Sequence, residues 1–193
     1  MGKENQGLGK QVSVSRRTIV IAAVFLFTFA GLTGFQVYEG EFKSTEFNRN
    51  DVMFMNMMIV HHDQAIEMAE MAENRTNNSK ILELSENISK AQRSENGQMR
   101  EWMNNLGYEP GNHHPMAGMA SEAEMQRLED SKNSEFDRMF AELMIEHHEG
   151  GIEMARSFRE DGRHTELKEM QTKMIETQER EIKKMRRWQD QGF

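Results

Sequence analysis

Moved along itself by 86 residues, the second half of this chain falls on the first without a gap. Asp51 lands on Asp137, Met53 on Met139, Phe54 on Phe140 and Met58 on Met144. His61-His62 lands on His147-His148, Ile66 on Ile152, and Glu67-Met68-Ala69 on Glu153-Met154-Ala155. Downstream, Gln92 meets Gln178, Glu95 meets Glu181, Met99 meets Met185 and Trp102 meets Trp188. So many matches at one offset mark a duplication. A duplicated chain folds as two equivalent units that bury each other's apolar surface.

Each unit reads as two helices. Ile81, Leu84, Ile88, Ala91, Glu95, Met99 and Trp102 recur at three- and four-residue steps, and Leu167, Met170, Met174, Thr177, Glu181, Met185 and Trp188 repeat the pattern. The spacing predicts helices over 50–74 and 78–105 in the first unit, and over 134–160 and 164–190 in the second. The breaks, Asn74–Ser79 and Asp161-Gly162, are turn and cap chemistry. The chain has two prolines, Pro110 and Pro115, and both lie in the connection between the units. Elsewhere it is rich in Glu, Met, Ala, Lys and Arg, which favour helix. The expected fold is all-α: an antiparallel four-helix bundle of two duplicated hairpins. Repeat one spans 50–106, a His/Met-rich linker 107–120, and repeat two 121–193, with 121–130 a short additional helix.

Before the repeats stands a different kind of sequence. Thr18 to Phe35 is uncharged throughout and follows Arg16-Arg17. At roughly 1.5 Å per residue such a helix is about 27 Å long, enough for the hydrocarbon core of a membrane. The expected order is a basic cytoplasmic tail (1–17), a transmembrane helix (18–38) and a linker (39–49), with the bundle outside the cell membrane because the basic flank stays in. A cleaved secretory signal, or a twin-arginine signal opening on Ser15-Arg16-Arg17, would equally export the remainder as a secreted or periplasmic protein.

Residues 1–17 contribute +3 to a net charge of −8, so the rest carries −11. A domain that acidic is a poor match for nucleic acid, whose affinity comes from neutralising phosphates. There are no cysteines, which removes disulfides, zinc–thiolate sites and a Cys nucleophile from consideration.

The chemistry lies in histidine and methionine. Six of the seven histidines form three His-His pairs, at 61–62, 113–114 and 147–148. On a helix Met58 shares a face with His61 or His62, Met55 extends that side by a turn, and Met68 lies two turns beyond His61. The second unit supplies Met144, His147, His148 and Met154, with Ala141 where Met55 has its counterpart. The linker adds His113, His114, Met116 and Met119 on a segment expected to be flexible. Imidazole with thioether is a soft-to-borderline donor set that suits copper, Cu(I) above all, better than magnesium or calcium. Most of the 18 methionines are ordinary core filler, and one helical His–Met pair is usually packing. Three pairs, each within reach of Met, favour metal. Adjacent histidines diverge by about 100° around a helix, so neither helical pair chelates one ion unaided. Gln92, Glu95, Gln178 and Glu181 are candidates to hold the rings by hydrogen bonds. His164 stands alone at the start of the fourth helix and reads as a surface residue.

These residues resemble the DUF305 family, a ferritin-like group of exported proteins. The signature stands here as Asp51, Phe54, Met58-x-x-His61-His62-x-x-Ala65-Ile66-x-Met68-Ala69, Gln92-x-x-Glu95 and Met99. It recurs as Phe136-Asp137, Phe140, Met144-x-x-His147-His148, Ile152-x-Met154-Ala155, Gln178-x-x-Glu181-Ile182 and Met185. The resemblance implies a four-helix bundle and, for some members, copper binding and resistance outside the cytoplasm, with the ligand role falling on the Met and His residues of both copies. One departure is Gly150-Gly151 in place of Gln64-Ala65, which predicts a looser second site or one approached closely by a neighbour.

The sequence thus points to a non-enzymatic extracytoplasmic protein that binds, sequesters or hands over copper. A ferritin-like di-iron or di-manganese enzyme is the alternative, but it needs a Glu-x-x-His motif. Met58 and Met144 stand where that glutamate would be. A metal-free, membrane-anchored interaction module is the third reading. Self-association and a metal-transfer partner stay open.

Overall fold

Asn48 opens the first helix with a reciprocal cap: its side chain accepts from the Asp51 N–H and its own N–H donates to Asp51, both at 2.9 Å. The helix that follows, α1, spans Arg49–Arg75. The computed structural model describes residues 46–109, 111 and 116–192. They form four more helices: α2 Ser79–Asn105, α3 Glu122–Asp130, α4 Ser134–Asp161 and α5 Thr165–Gln191. No strand occurs among the described residues. All four long helices fall within a residue or two of their predicted ranges. The tail, the 18–38 segment, most of the 39–49 linker, His113 and His114 lie outside the described residues. Within those described, no helix is long and apolar enough to cross a membrane.

The two hairpins, α1–α2 and α4–α5, join through α1 against α4. The direction of that contact follows from the hydrogen bonds at its ends. Asn48 donates to the Asp161 carbonyl at 2.7 Å, and the Asn133 N–H donates to the Arg75 carbonyl at 2.7 Å. The start of each helix therefore meets the end of the other, and α1 and α4 are antiparallel. Inside each hairpin, ion pairs repeat at the duplicated positions: Arg100 with Asp63 and Arg186 with Glu149, then Arg93 with Glu70 and, with charges exchanged, Arg156 with Glu179. Exposed pairs of this kind contribute little stability. They record the register.

The repeats also clasp each other by a polar contact. Asp51, 1% exposed, accepts the backbone N–H groups of Arg163 and His164 at the start of α5. Its duplicate Asp137 accepts from Asn78 at the start of α2. Gly162 stands beside Asp51 for want of space, since a Cβ there would lie 2.7 Å from the carboxylate. Replacing Asp51 by Ala removes a cap and two charge-assisted hydrogen bonds at once, and should cost about 3 kcal/mol by urea unfolding. Asp51→Asn should recover part of it.

His164 is buried rather than on the surface. Its Nδ1 accepts from the Leu167 N–H at 3.3 Å as the cap of α5, and its ring stacks on Phe47 with centroids 3.8 Å apart.

Candidate metal centre

Both helical His-His pairs sit at the middles of their helices, so antiparallel packing of α1 on α4 brings them to one level. The result is a layer of four histidines, none of them exposed. The His61 and His147 rings meet across the interface with centroids 3.8 Å apart. The neighbours on one helix, His147 and His148, are 6.4 Å apart. As the 100° divergence requires, the short contact runs between repeats and not within a pair.

The outer histidine of each pair is held by a glutamate. His62 Nε2 lies 2.9 Å from Glu95 and His148 Nε2 lies 2.8 Å from Glu181. Carboxylates only accept, so each ring carries a proton on Nε2, and its Nδ1 is buried without a partner. His61 Nε2 likewise donates to the Ala117 carbonyl at 3.3 Å. Five buried ring nitrogens then lack any hydrogen-bond partner: Nδ1 of His61, His62 and His148, and both nitrogens of His147. Unpaired buried polar atoms are costly and uncommon. All five belong to the one buried layer.

Two of the rings, His61 and His147, are kept neutral by their surroundings. Burial, then the neighbouring His62, lowers the His61 pKa from 6.5 to about 3, against the pull of the Ala117 carbonyl. His147 is lowered well below its ordinary value by burial first and by His61, His148 and His62 after it. A weak polar contact with the His61 backbone, short of a hydrogen bond, opposes this. Neutral imidazole is the form that binds metal.

The thioethers are distributed differently from the linear grouping of the sequence. Met58 does not join Met68. It packs with Met55, Met99, Met103 and, from the other repeat, Met154 and Met174, on one side of the histidine layer. Met68 packs with Met144 and Met185 on the other side. Each side thus combines the upstream Met of one repeat with the downstream Met of the other. Met116 leans on the first group, and Met119 is partly exposed. Gln92 and Gln178 are buried, but their amides take no hydrogen bond from the histidines, and the carbonyl oxygen of each is unpaired.

Gly150-Gly151 proves to be a close-approach pair. A Cβ at 150 would meet the Ala117 carbonyl oxygen at 2.0 Å, and one at 151 would lie 3.2 Å from the His61 ring. Residues 116–120 therefore form a strap across α1 and α4. Gly118 turns it with φ +79, and Gln64 clamps it through two hydrogen bonds to Ala120, of 2.8 and 2.9 Å. The periodicity of the helices gives no sign of the strap's position; the only local hint is paired glycine inside a helix. Among the described residues, no three His, Asp or Glu side chains gather as a set able to hold an ion.

The family model "Domain of unknown function (DUF305)" matches residues 51–189. Several solved structures are similar, three of them as follows. A DUF305 protein of Streptomyces coelicolor presumed to be secreted is 32% identical with TM-score 0.66, covering 70% of this chain and 89% of its own. A DUF305 fragment from Deinococcus radiodurans is 29% identical with TM-score 0.68, covering 72% and 95%. CopM in its Cu(I)-bound form is 29% identical with TM-score 0.65, covering 74% and 97%. No curated protein sequence matches.

Proposed function

The chain belongs to the DUF305 family, and from that premise and the donors at its centre we propose that it binds copper, as Cu(I), outside the cytoplasm. The observation that carries this reading is the histidine layer, with five unpaired ring nitrogens buried between two groups of thioethers. A soft monovalent ion turns those lone pairs from a cost into bonds. CopM is similar over nearly its whole length and has Cu(I)-, Cu(II)- and Ag-bound forms, which supports metal binding on this scaffold.

In this reading the bound ion is cargo, held, buffered or passed on. His61 and His147 would supply the central nitrogens, and His62 and His148 the flanking ones. Glu95 and Glu181 fix the tautomer that leaves Nδ1 free to bind, as carboxylates commonly do for metal-bound histidines. Met58 and Met154, with Met55, would complete one side, and Met68 with Met144 the other. Met116 stands by the first side, and His113, His114 and Met119 would extend the set from the linker. The 18–38 segment, as anchor or export signal, and the Streptomyces relative support a place beyond the cytoplasmic membrane. The di-iron or di-manganese reading is disfavoured by the same geometry. Met58 and Met144 stand where its Glu-x-x-His motif needs glutamate, and Glu95 and Glu181 are each engaged by a histidine.

The test is a Cu(I) titration of the full chain against a competing chelator, in mild detergent, beside a variant with His61, His62, His147 and His148 changed to Ala. Affinity should fall by about a hundredfold or more, equivalent to about 2.7 kcal/mol, with helicity retained by circular dichroism. Equal uptake by the two proteins would overturn the copper reading. Iron or manganese co-purifying at two atoms per chain would establish the alternative.

A further inference from the structure

The histidine layer is enclosed, so an ion reaching it must pass between helices. Three sides of the helix square are shut: α1 packs on α2, α4 on α5, and α1 on α4. The α1–α4 side is covered again by the strap, fixed through Gln64 and pressed against Gly150. Between α2 and α5 there is no comparable packing. A narrow cleft follows that seam, with room for about one water-sized body, about 10 Å³.

The lining of the cleft is paired by the duplication: Gln92 with Gln178, Glu95 with Glu181, and Ala91 with Thr177. The seam therefore straddles the axis relating the two repeats. Gln92 and Gln178 are each 3% exposed and each keeps a carbonyl oxygen with no partner. Gln178 also reaches the layer itself. A Cβ at position 151 would lie 3.0 Å from its Oε1 and 3.2 Å from His61 Cε1, so amide and ring are neighbours across that glycine. Toward solvent the seam carries the Glu95 and Glu181 carboxylates, 22% and 10% exposed, whose inner oxygens hold His62 and His148.

We infer that the α2–α5 seam is the route by which a monovalent metal ion enters and leaves the histidine layer. The two carboxylates draw the ion in, and the unpaired Gln92 and Gln178 carbonyl oxygens replace its water on the way. Stripping a cation of water inside protein is costly unless oxygen takes its place. Neutral amide oxygens do this without binding a soft ion firmly enough to trap it, since its preference lies with the nitrogen and sulfur beyond. The inference rests on the copper reading above and concerns kinetics, not affinity.

The experiment is stopped-flow loading and chelator-driven release of Cu(I), with Ag(I) in parallel, on the full chain. An Ala91→Leu/Thr177→Leu variant plugs the seam at two half-buried helix positions that leucine tolerates. Loading and release should both slow by about tenfold, leaving Kd unchanged, because a route alters both rates by one factor. Gln92→Leu/Gln178→Leu should slow both in the same way. Gln64→Ala, which frees the strap, should leave both rates as they are. Unchanged rates in the plugged variant, a lower affinity without slower release, or faster loading in Gln64→Ala would each overturn the route. A wild-type chain that takes up no Cu(I) at equilibrium would instead sink the copper reading, before any rate is compared.

Discussion

Lowering the pH from 7 to about 4.5 without metal should strip the bundle of much of its stability, and the urea midpoint should begin to fall as the pH drops through 6.5. The sign follows from where His61 and His147 hold protons. In the unfolded chain both titrate near 6.5; in the folded protein His61 does so only at about 3, and His147 is also lowered well below its ordinary value. Their full stability is therefore present above 6.5. As the pH falls below 6.5, the unfolded state takes up as many as two protons that the native state refuses. Two protons amount to about 2.7 kcal/mol per pH unit, against a total stability of about 5–15 kcal/mol for a domain of ordinary size. Two units of acidification approach the lower end of that range. A urea series at pH 7.5, 6.5, 5.5 and 4.5 measures the slope, and a flat midpoint across it would mean that the rings are solvated or hydrogen-bonded in solution.

Bound metal should oppose that loss. Ions and protons compete for the same imidazole lone pairs, so loading with Cu(I) should move the acid transition to lower pH while release of metal grows with acidity.

The duplication made much of this architecture legible. The gapless correspondence from Asp51/Asp137 to Trp102/Trp188 dictates two hairpins, and cap chemistry around Asn74–Ser79 and Asp161-Gly162 sets their breaks. The histidine pairs were legible too, since their type and repetition are local. What the sequence could not carry was how the two copies face each other. Met58 and Met68 share a helix face and read as one cluster, but antiparallel packing sends them to opposite sides of the layer and gives each a partner from the other repeat. His164 was misread for the same reason. Its burial comes from Phe47 and Trp102, which lie far off in the chain and are brought together by the fold. The strap left only the trace of Gly150-Gly151, because close backbone approach demands the absence of a side chain and not the presence of one.

His147→Leu should make the metal-free protein more stable and the metal complex much weaker. Of the four rings, His147 is the one with neither nitrogen paired, and it makes the closest ring contact with the other repeat. Leucine fills a similar volume and leaves no buried polar atom, so the metal-free form should gain about 1–3 kcal/mol. The acid slope should become shallower, because one of the two rings whose protonation burial opposes is gone. Cu(I) affinity should fall by about a hundredfold, a loss that no gain in packing restores. His61→Leu should behave differently, since it strips the Ala117 carbonyl of its donor and loosens the strap. The divergence between two duplicated positions separates a site kept for binding from one that packs for its own sake. If His147→Leu destabilises the metal-free protein by as much as a core truncation does, the ring is structural, and the four histidines are a polar core of this bundle instead of a seat for an ion.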